Sequence, residues 1–289
     1  MAYAKHQSFY LKQNWVNKGI KATQKSTMSL LGVDNYYELG IGKNMFLSLR
    51  YWLEATNIIK PTSEGHELTL FGKYISSNDL SCKKPFTVNL MQYFLSCDKP
   101  ENGVEKSHTF YWFFNIFEER ILKKQTLVEE LLRWDTLTYR RSTSQNTIGR
   151  DIDCLLQTYT KSEKTHPEDK NISVLAQLGL VQKSGELLVR TTIRRNMIDL
   201  DAIYFIVLKI IEQNEGGNTE PEKYIDLDTL ASADSSPCKI FGLTRIEFTD
   251  IIEEMSNRGY SVEIVRTNNL DTVHISDILT ANKFLESKI

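Results

Sequence analysis

No stretch of about 18 apolar residues occurs in this chain of 289 residues. The longest apolar run, AIYFIVLKII, is interrupted by Lys209, so no membrane span is expected. The opening segment, MAYAKHQSFYLKQNW, has no apolar stretch behind its charges. It does not read as a secretory leader, and a cytoplasmic protein is expected. Cysteine is scarce. Cys82, Cys97, Cys154 and Cys238 form no CxxC pair, which argues against a structural zinc site and a disulfide scaffold. Buried or incidental thiols in a reducing compartment are expected instead.

Recognisable catalytic spacings are also missing. The five histidines, at 6, 66, 108, 166 and 274, are scattered. Asp151 and Asp153 lie two apart and cannot share a helix face, while Glu118–Glu119 and Glu253–Glu254 are adjacent and also diverge. No nuclease pattern of the PD-(D/E)xK, HNH, GIY-YIG or HKD type is present. Gly40-Ile41-Gly42-Lys43-Asn44 lacks the spacing of a nucleotide phosphate loop and puts Asn44 where Ser or Thr belongs, so no nucleotide is expected.

What is present is an ordinary globular composition, 41% hydrophobic and 25% charged, enough for a sizeable core. The net charge of −2 excludes a uniformly basic nucleic-acid coat, but the charge is unevenly distributed. Residues 1–84 carry eleven Lys/Arg against six Asp/Glu, a balance of +5. Residues 199–228 carry eight acids against Lys209 and Lys223, a balance of −6. The basic part can meet phosphates; the acidic part is expected to face solvent or a basic protein partner.

Periodicity predicts a fold that is mainly α with small β-hairpins. A helix is expected over 8–22, a short helix over MSLLGVDNYYELG, and a longer helix from Lys43 to Ile59 stopped by Pro61. On that longer helix Met45, Phe46, Leu49, Trp52 and Leu53 share one face. Lys43, Asn44, Leu47, Ser48, Arg50, Tyr51 and Glu54 share the other. HELTLFGKYI alternates like a short strand. Helix, short helix, turn, long helix and strand make the profile of a winged helix-turn-helix, in which a polar helix face enters the DNA major groove. Residues 81–200 read as a helical middle region. The aromatic run at Phe110, Tyr111, Trp112, Phe113, Phe114 and Phe117 is too dense for a base-stacking platform and reads as core. Residues 201–289 hold an amphipathic helix over Leu243–Asn257, ended by Gly259, and a hairpin about Asn268-Asn269. That unit reads as a second winged-helix-like module for protein contact or dimerisation. The division expected is therefore 1–80 for DNA, 81–200 helical, and 201–289 for interaction. Candidate DNA contacts are Lys43, Asn44, Arg50, Tyr51 and Lys73, with Arg140, Arg141 and Arg150 around a Ser/Thr-rich loop.

The string LGIGKNMFLSLRYW over Leu39–Trp52 carries a family resemblance. It is joined by His6–Trp15, Thr69–Gly72, Trp112, Asn115 and Phe117, and by Arg150, Asp151, Cys154 and Tyr159. On these residues the chain, over roughly 6–180, resembles the SspB-like components of bacterial single-stranded DNA phosphorothioation systems. The resemblance implies DNA binding and nicking of one strand for sulfur insertion, in defence against phage. It implies Mg²⁺ or Mn²⁺ as cofactor, and a cysteine desulfurase, an ATPase and an ATP-pyrophosphatase-like enzyme as partners, with a homodimer left open. The family's acidic DPYLED-type segment is replaced here by NDLSCKKPFTVNL, which keeps Asp79, Pro85 and Phe86 but not the acids. Catalytic residues are therefore unassigned. A non-catalytic DNA-binding subunit that recruits the sulfur-transfer enzymes, and a winged-helix transcriptional regulator, stay open beside the nickase.

Overall fold

Buried Trp15, Val16, Gly19, Ile20 and Thr23 recur at helical spacing and define α1, Gln13–Lys25. This is a computed structural model that describes residues 3–97, 107–140, 142–160, 173–214, 222–267, 270–276 and 279–289. The expected start at residue 8 is corrected to Gln13. Gln7 and Ser8 take left-handed φ of 50° and 64°, so the chain before α1 is an irregular strap. The short helix expected next is two 3₁₀ turns, Thr27–Leu30 and Val33–Tyr37.

The long helix, α2, spans Lys43–Ala55. It ends before Ile59 because Asn57 turns left-handed at φ 54°. Pro61 does not stop it but lies in β1, Ile59–Thr62, which pairs antiparallel with β2, Gly65–Leu68. Of the HELTLFGKYI stretch, His66, Glu67 and Leu68 are strand as expected, in β2, but from Leu70 onward it is a helix. The Thr69 hydroxyl accepts from the Gly72 N–H at 2.9 Å and starts α3, Leu70–Asn78. Phe71, Tyr74 and Ile75 then bury on one face of that helix. The hairpin comes before α3 and folds back on the turn at Thr27. A Cβ on Gly65 would lie 2.2 Å from the Thr27 carbonyl oxygen.

The middle of the chain is helical as expected, with α4 at Pro85–Ser96, α5 at His108–Asn115, α6 at Lys124–Tyr139 and α7 at Gln145–Tyr159. Every residue of α5 is buried, so the aromatic run is core. Strands β3 (Ile121–Leu122), β4 (Val181–Ser184) and β5 (Leu187–Arg190) form an antiparallel sheet in the order β3-β5-β4, Leu122 facing Leu188 and Ser184 facing Leu187.

The last third starts with α8, Leu200–Asn214, packed on α4. Strand β6, Lys223–Asp226, is followed by α9 (Leu227–Ser232), α10 (Pro237–Phe241) and α11 (Arg245–Asn257). The expected hairpin is β7 (Val262–Thr267) and β8 (Leu270–Ile275), with Thr267 facing Leu270; its turn residues 268–269 lie outside the described residues. Its unforeseen third strand is β6, in the order β6-β8-β7. The chain closes with α12, Ala281–Glu286. One continuous cluster of buried side chains runs from Tyr3 to Leu285 and includes Trp15, Trp52, Trp112, Tyr159, Phe205 and Phe248. No helix among the described residues is long and apolar enough to cross a membrane.

Two glycines give opposite expectations. A Cβ on Gly72 would sit 2.1 Å from the Ile58 carbonyl oxygen, whereas one on Gly149, inside α7, would meet nothing within 4 Å. Gly72→Ala is expected to destabilise the fold by about 2–3 kcal/mol through overpacking. Gly149→Ala is expected to stabilise it by about 0.5–1 kcal/mol through helix propensity. Denaturant midpoints of the two variants check both signs.

Candidate nucleic-acid interface

A helix leaves its first four N–H groups without intrahelical partners. At α2 nothing in the sequence covers them. The N-cap is Gly42, which has no side chain to accept from the first turn. The first intrahelical bond is Phe46 N–H to the Gly42 carbonyl, 2.9 Å. Lys43 and Asn44 are exposed. Gly40 is required by its φ of +60°, but Gly42 has an ordinary φ of −72°. A Cβ at either position would meet nothing within 4 Å, so these glycines do not serve close packing within the chain. They leave the positive end of a 13-residue helix bare and flank it with Lys43, a ready site for an oxyanion.

Beside this end runs a basic groove. Lys18, Lys21 and Lys25 stand at i, i+3 and i+7 on α1 and line a cavity of about 300 Å³ with Ser29, Asn35, Glu38 and Leu39. Lys18 Nζ donates to the Leu39 carbonyl (2.9 Å), and Lys25 pairs with Glu38 at 3.2 Å. Lys21 is exposed and forms no ion pair among the described residues. Tyr37, 75% exposed, packs on Tyr36 with ring centroids 4.0 Å apart. The Leu39–Gly42 link leads from this groove directly into α2. Sequence reasoning counted these lysines in a charge balance but did not single them out. Their helical spacing within the first expected helix is the signal that would have found them.

The open polar face expected along α2 needs correction. From Met45 to Ala55 every residue is buried or half-buried, Ser48 completely so. Arg50 Nη1 donates to the carbonyls of Leu30 and Leu31, both at 3.2 Å, and so clamps the first 3₁₀ turn. Tyr51 is half-buried between the rings of His6 (6.2 Å) and Trp52 (5.2 Å). Only Lys43 and Asn44 at the helix end are open. Lys73 is exposed on α3. Arg140 is exposed at the left-handed cap of α6, and Arg150 is exposed on α7. Arg141 lies outside the described residues.

The Arg150-Asp151 and His6 elements meet in the interior. Asp151 is buried and accepts from Ala4 N–H (2.8 Å), His6 Nε2 (3.1 Å) and Thr109 Oγ1 (3.1 Å). His6 Nδ1 accepts from Ser8 N–H at 3.0 Å, so Nε2 is the nitrogen that carries the proton. Both ring nitrogens are spent, and the ring is 1% exposed. This pair positions the N-terminal strap and has no free nitrogen for general-base work.

Burial pushes the Cys82 and Cys154 thiols well above their ordinary range and Cys238 up to about 12, so none of the three supplies a thiolate near neutrality. Among the described residues no three His, Cys, Asp or Glu converge as a metal cage. Where acids gather, at Asp199, Asp201 and Glu254, each already has partners, Asp199 accepting from the Ala202 N–H at 3.1 Å. Glu254 takes Arg195 and Arg258, both at 2.6 Å. Asp201 takes the Tyr260 hydroxyl (2.7 Å) and Lys288 (2.6 Å). This donor set does not fit Mg²⁺ or Mn²⁺.

A family model described as a protein of unknown function, DUF4007, matches residues 3–288. The chain belongs to the DUF4007 family. Two solved structures share its fold. A crystal structure of magnesium ion-bound SspB superposes with a TM-score of 0.84 at 17% identity, covering 99% of this chain and 86% of that one. A further SspB crystal structure gives 0.85 at 18% identity with the same coverage. At this identity the likeness is one of fold. It extends past residue 180, where the motif string had stopped, through the C-terminal third. No curated protein matches the chain.

For this DUF4007 protein, Gly42→Asp adds a helix N-cap, so thermal stability should hold or rise slightly. The new carboxylate at the bare helix end should weaken binding to a fluorescent duplex about tenfold. Lys21→Ala should lower the slope of log affinity against log salt by about one unit. Unchanged anisotropy titrations for both variants would move the interface elsewhere.

Proposed function

We propose that this protein is the DNA-engaging, strand-nicking component of a bacterial DNA phosphorothioation system. The observation that carries the DNA part is the bare, lysine-flanked end of α2 opening beside the α1 groove. A helix end with free N–H groups recognises a phosphate, and a row of lysines follows a backbone. The system itself is supported by the SspB fold across the whole chain, together with the Leu39–Trp52 string. In this reading residues 1–80 grip DNA, 81–200 form the helical support, and 201–289 contact the sulfur-transfer enzymes or a second copy.

The mode of contact follows from burial. A recognition helix must lay a polar face along base edges in the major groove. Here α2 has only its end free, and the β1–β2 hairpin, which stands where a wing would, is folded onto the Thr27 turn. Contacts are therefore to phosphates, and affinity is salt-dependent and largely independent of sequence. That disfavours a transcriptional regulator, which needs base readout at a discrete operator.

Nicking rests on the SspB likeness alone, and no residue of this chain is assigned to it. The second reading, a non-catalytic subunit that recruits the sulfur-transfer enzymes, is favoured by one observation. Among the described residues there is no metal cage, and each of the three characterised thiols is protonated.

Purified protein incubated with supercoiled plasmid, with and without Mg²⁺, is expected to bind it and convert it to open circles. Binding with no relaxation in either buffer would leave the recruiting subunit. Protection of one short operator over random sequence would restore the regulator.

A further inference from the structure

A guanidinium drawn out of water needs something to satisfy it, because desolvating a cation without a partner is costly. Arg190, at the end of β5, is half-buried and is such a group. It donates through Nη1 to the Phe117 carbonyl and lies 4.9 Å from the Phe113 ring centroid and 6.0 Å from that of Phe114. Among the described residues, the charge acting on it is that of another cation, Arg120. Burial and that positive charge pull the Arg190 guanidinium down to about 10. Among the described residues no carboxylate pairs with it.

Arg120 and Arg190 line one cavity of about 220 Å³ with Lys239 and Glu118. Lys239 Nζ lies 3.1 Å from Asp234 Oδ1 and is largely neutralised. Glu118 is the one acid of the lining and is exposed, as is Arg120. The Arg120 carbonyl accepts from the Arg190 N–H at 2.8 Å, while its side chain, near enough to Glu247 to lower that carboxyl, has no hydrogen bond or ion pair among the described residues and can turn its fork inward. The volume is below the roughly 300 Å³ where drug-sized sites begin, so it suits a single small group. Two planar guanidiniums with unused N–H donors match the oxygens of a tetrahedral oxyanion.

We propose that Arg120 and Arg190 form a receptor for one phosphate group, either inorganic phosphate or the terminal phosphate of a DNA strand. None of the lining residues belongs to α1 or α2, so this site is separate from the backbone-binding end of α2.

The test is isothermal titration and thermal unfolding of the full chain with inorganic phosphate, against sodium chloride of equal ionic strength. A saturable rise in Tm with phosphate is expected. Arg120→Ser should weaken phosphate binding about tenfold or more, with the fold intact because Arg120 is exposed. Arg190→Leu should abolish the response where it folds. Competition by a 5′-phosphorylated oligonucleotide, but not by its 5′-hydroxyl form, supports a DNA end as the ligand. Phosphate binding that neither oligonucleotide disturbs supports the free anion. A response no larger than chloride gives, one unchanged in Arg120→Ser, or equal competition by both oligonucleotides overturns the proposal. Gly42→Asp keeps the phosphate response whatever its effect on duplex binding, so the two sites fail or stand separately.

Discussion

A buried carboxylate at the centre of three chain segments ties the N-terminal strap to the rest of the fold. Asp151 on α7 takes the Ala4 N–H, the protonated nitrogen of His6 and the Thr109 hydroxyl of α5. Three donors satisfy the oxygens of this buried carboxylate, and they fix three chain segments at one point. Nearby, Tyr3 donates to Asp135 of α6 at 2.8 Å, and Thr143 donates to the same carboxylate at 2.5 Å. The strap then delivers the Phe9 carbonyl to the Trp52 indole N–H, 2.8 Å away, and to Cys154 Sγ at 3.5 Å. α2 is thus pinned from the side by a segment that would otherwise be a loose terminus.

That pinning explains why α2 presents its end and not its flank. Trp52 is held by the strap, Arg50 is committed to the Leu30 and Leu31 carbonyls, and Tyr51 lies against His6. Leu53 fills the space left by Gly19 of α1, whose Cβ would sit 2.1 Å from a Leu53 methyl. A helix gripped on all sides can carry function only at its termini, and its N-terminus is the electrostatically positive one. The GKN and RYW parts of the motif therefore do different jobs: the first keeps the end open, the second anchors the body.

The sequence was informative where one face of an element is buried and the other wet. α11 and the β7–β8 hairpin fall close to where periodicity puts them, and the dense aromatic run is core, as its density demanded. It misled where a polar side chain has a partner distant in sequence. Arg50 counts as polar on a helical wheel, yet its contacts are twenty residues away. Thr69 alternates like a strand residue, and only its hydroxyl reaching the Gly72 amide marks a helix start. β6 was hidden because a four-residue strand pairing with β8 has no local signature. The His6–Asp151 pair spans 145 positions and no spacing rule could join it.

The same distinction changes the meaning of the acidic stretch at 199–228, which its charge alone assigned to solvent or to a basic partner. Several of its members are consumed inside the fold. Asp199 accepts from the Ala202 N–H and starts α8, and burial raises its carboxyl above the usual range. Asp201 holds Tyr260 and Lys288, and Glu212 accepts from the Ala281 N–H at 2.7 Å and from Lys209 at 2.8 Å. Asp226 caps α9 through the Thr229 N–H, and Asp228 pairs with Arg245. These acids bind the last helices to α8 and to the β6-β8-β7 sheet. The basic residues differ in kind: Lys21, Lys43 and Arg120 are exposed without an ion pair among the described residues, and Arg190 is desolvated without an acid. Net charge near zero thus conceals a local contrast: these acids are tied into the fold, while Lys21, Lys43 and Arg120 are not held by ion pairs among the described residues. A chain built this way can carry local positive potential while staying close to neutral overall.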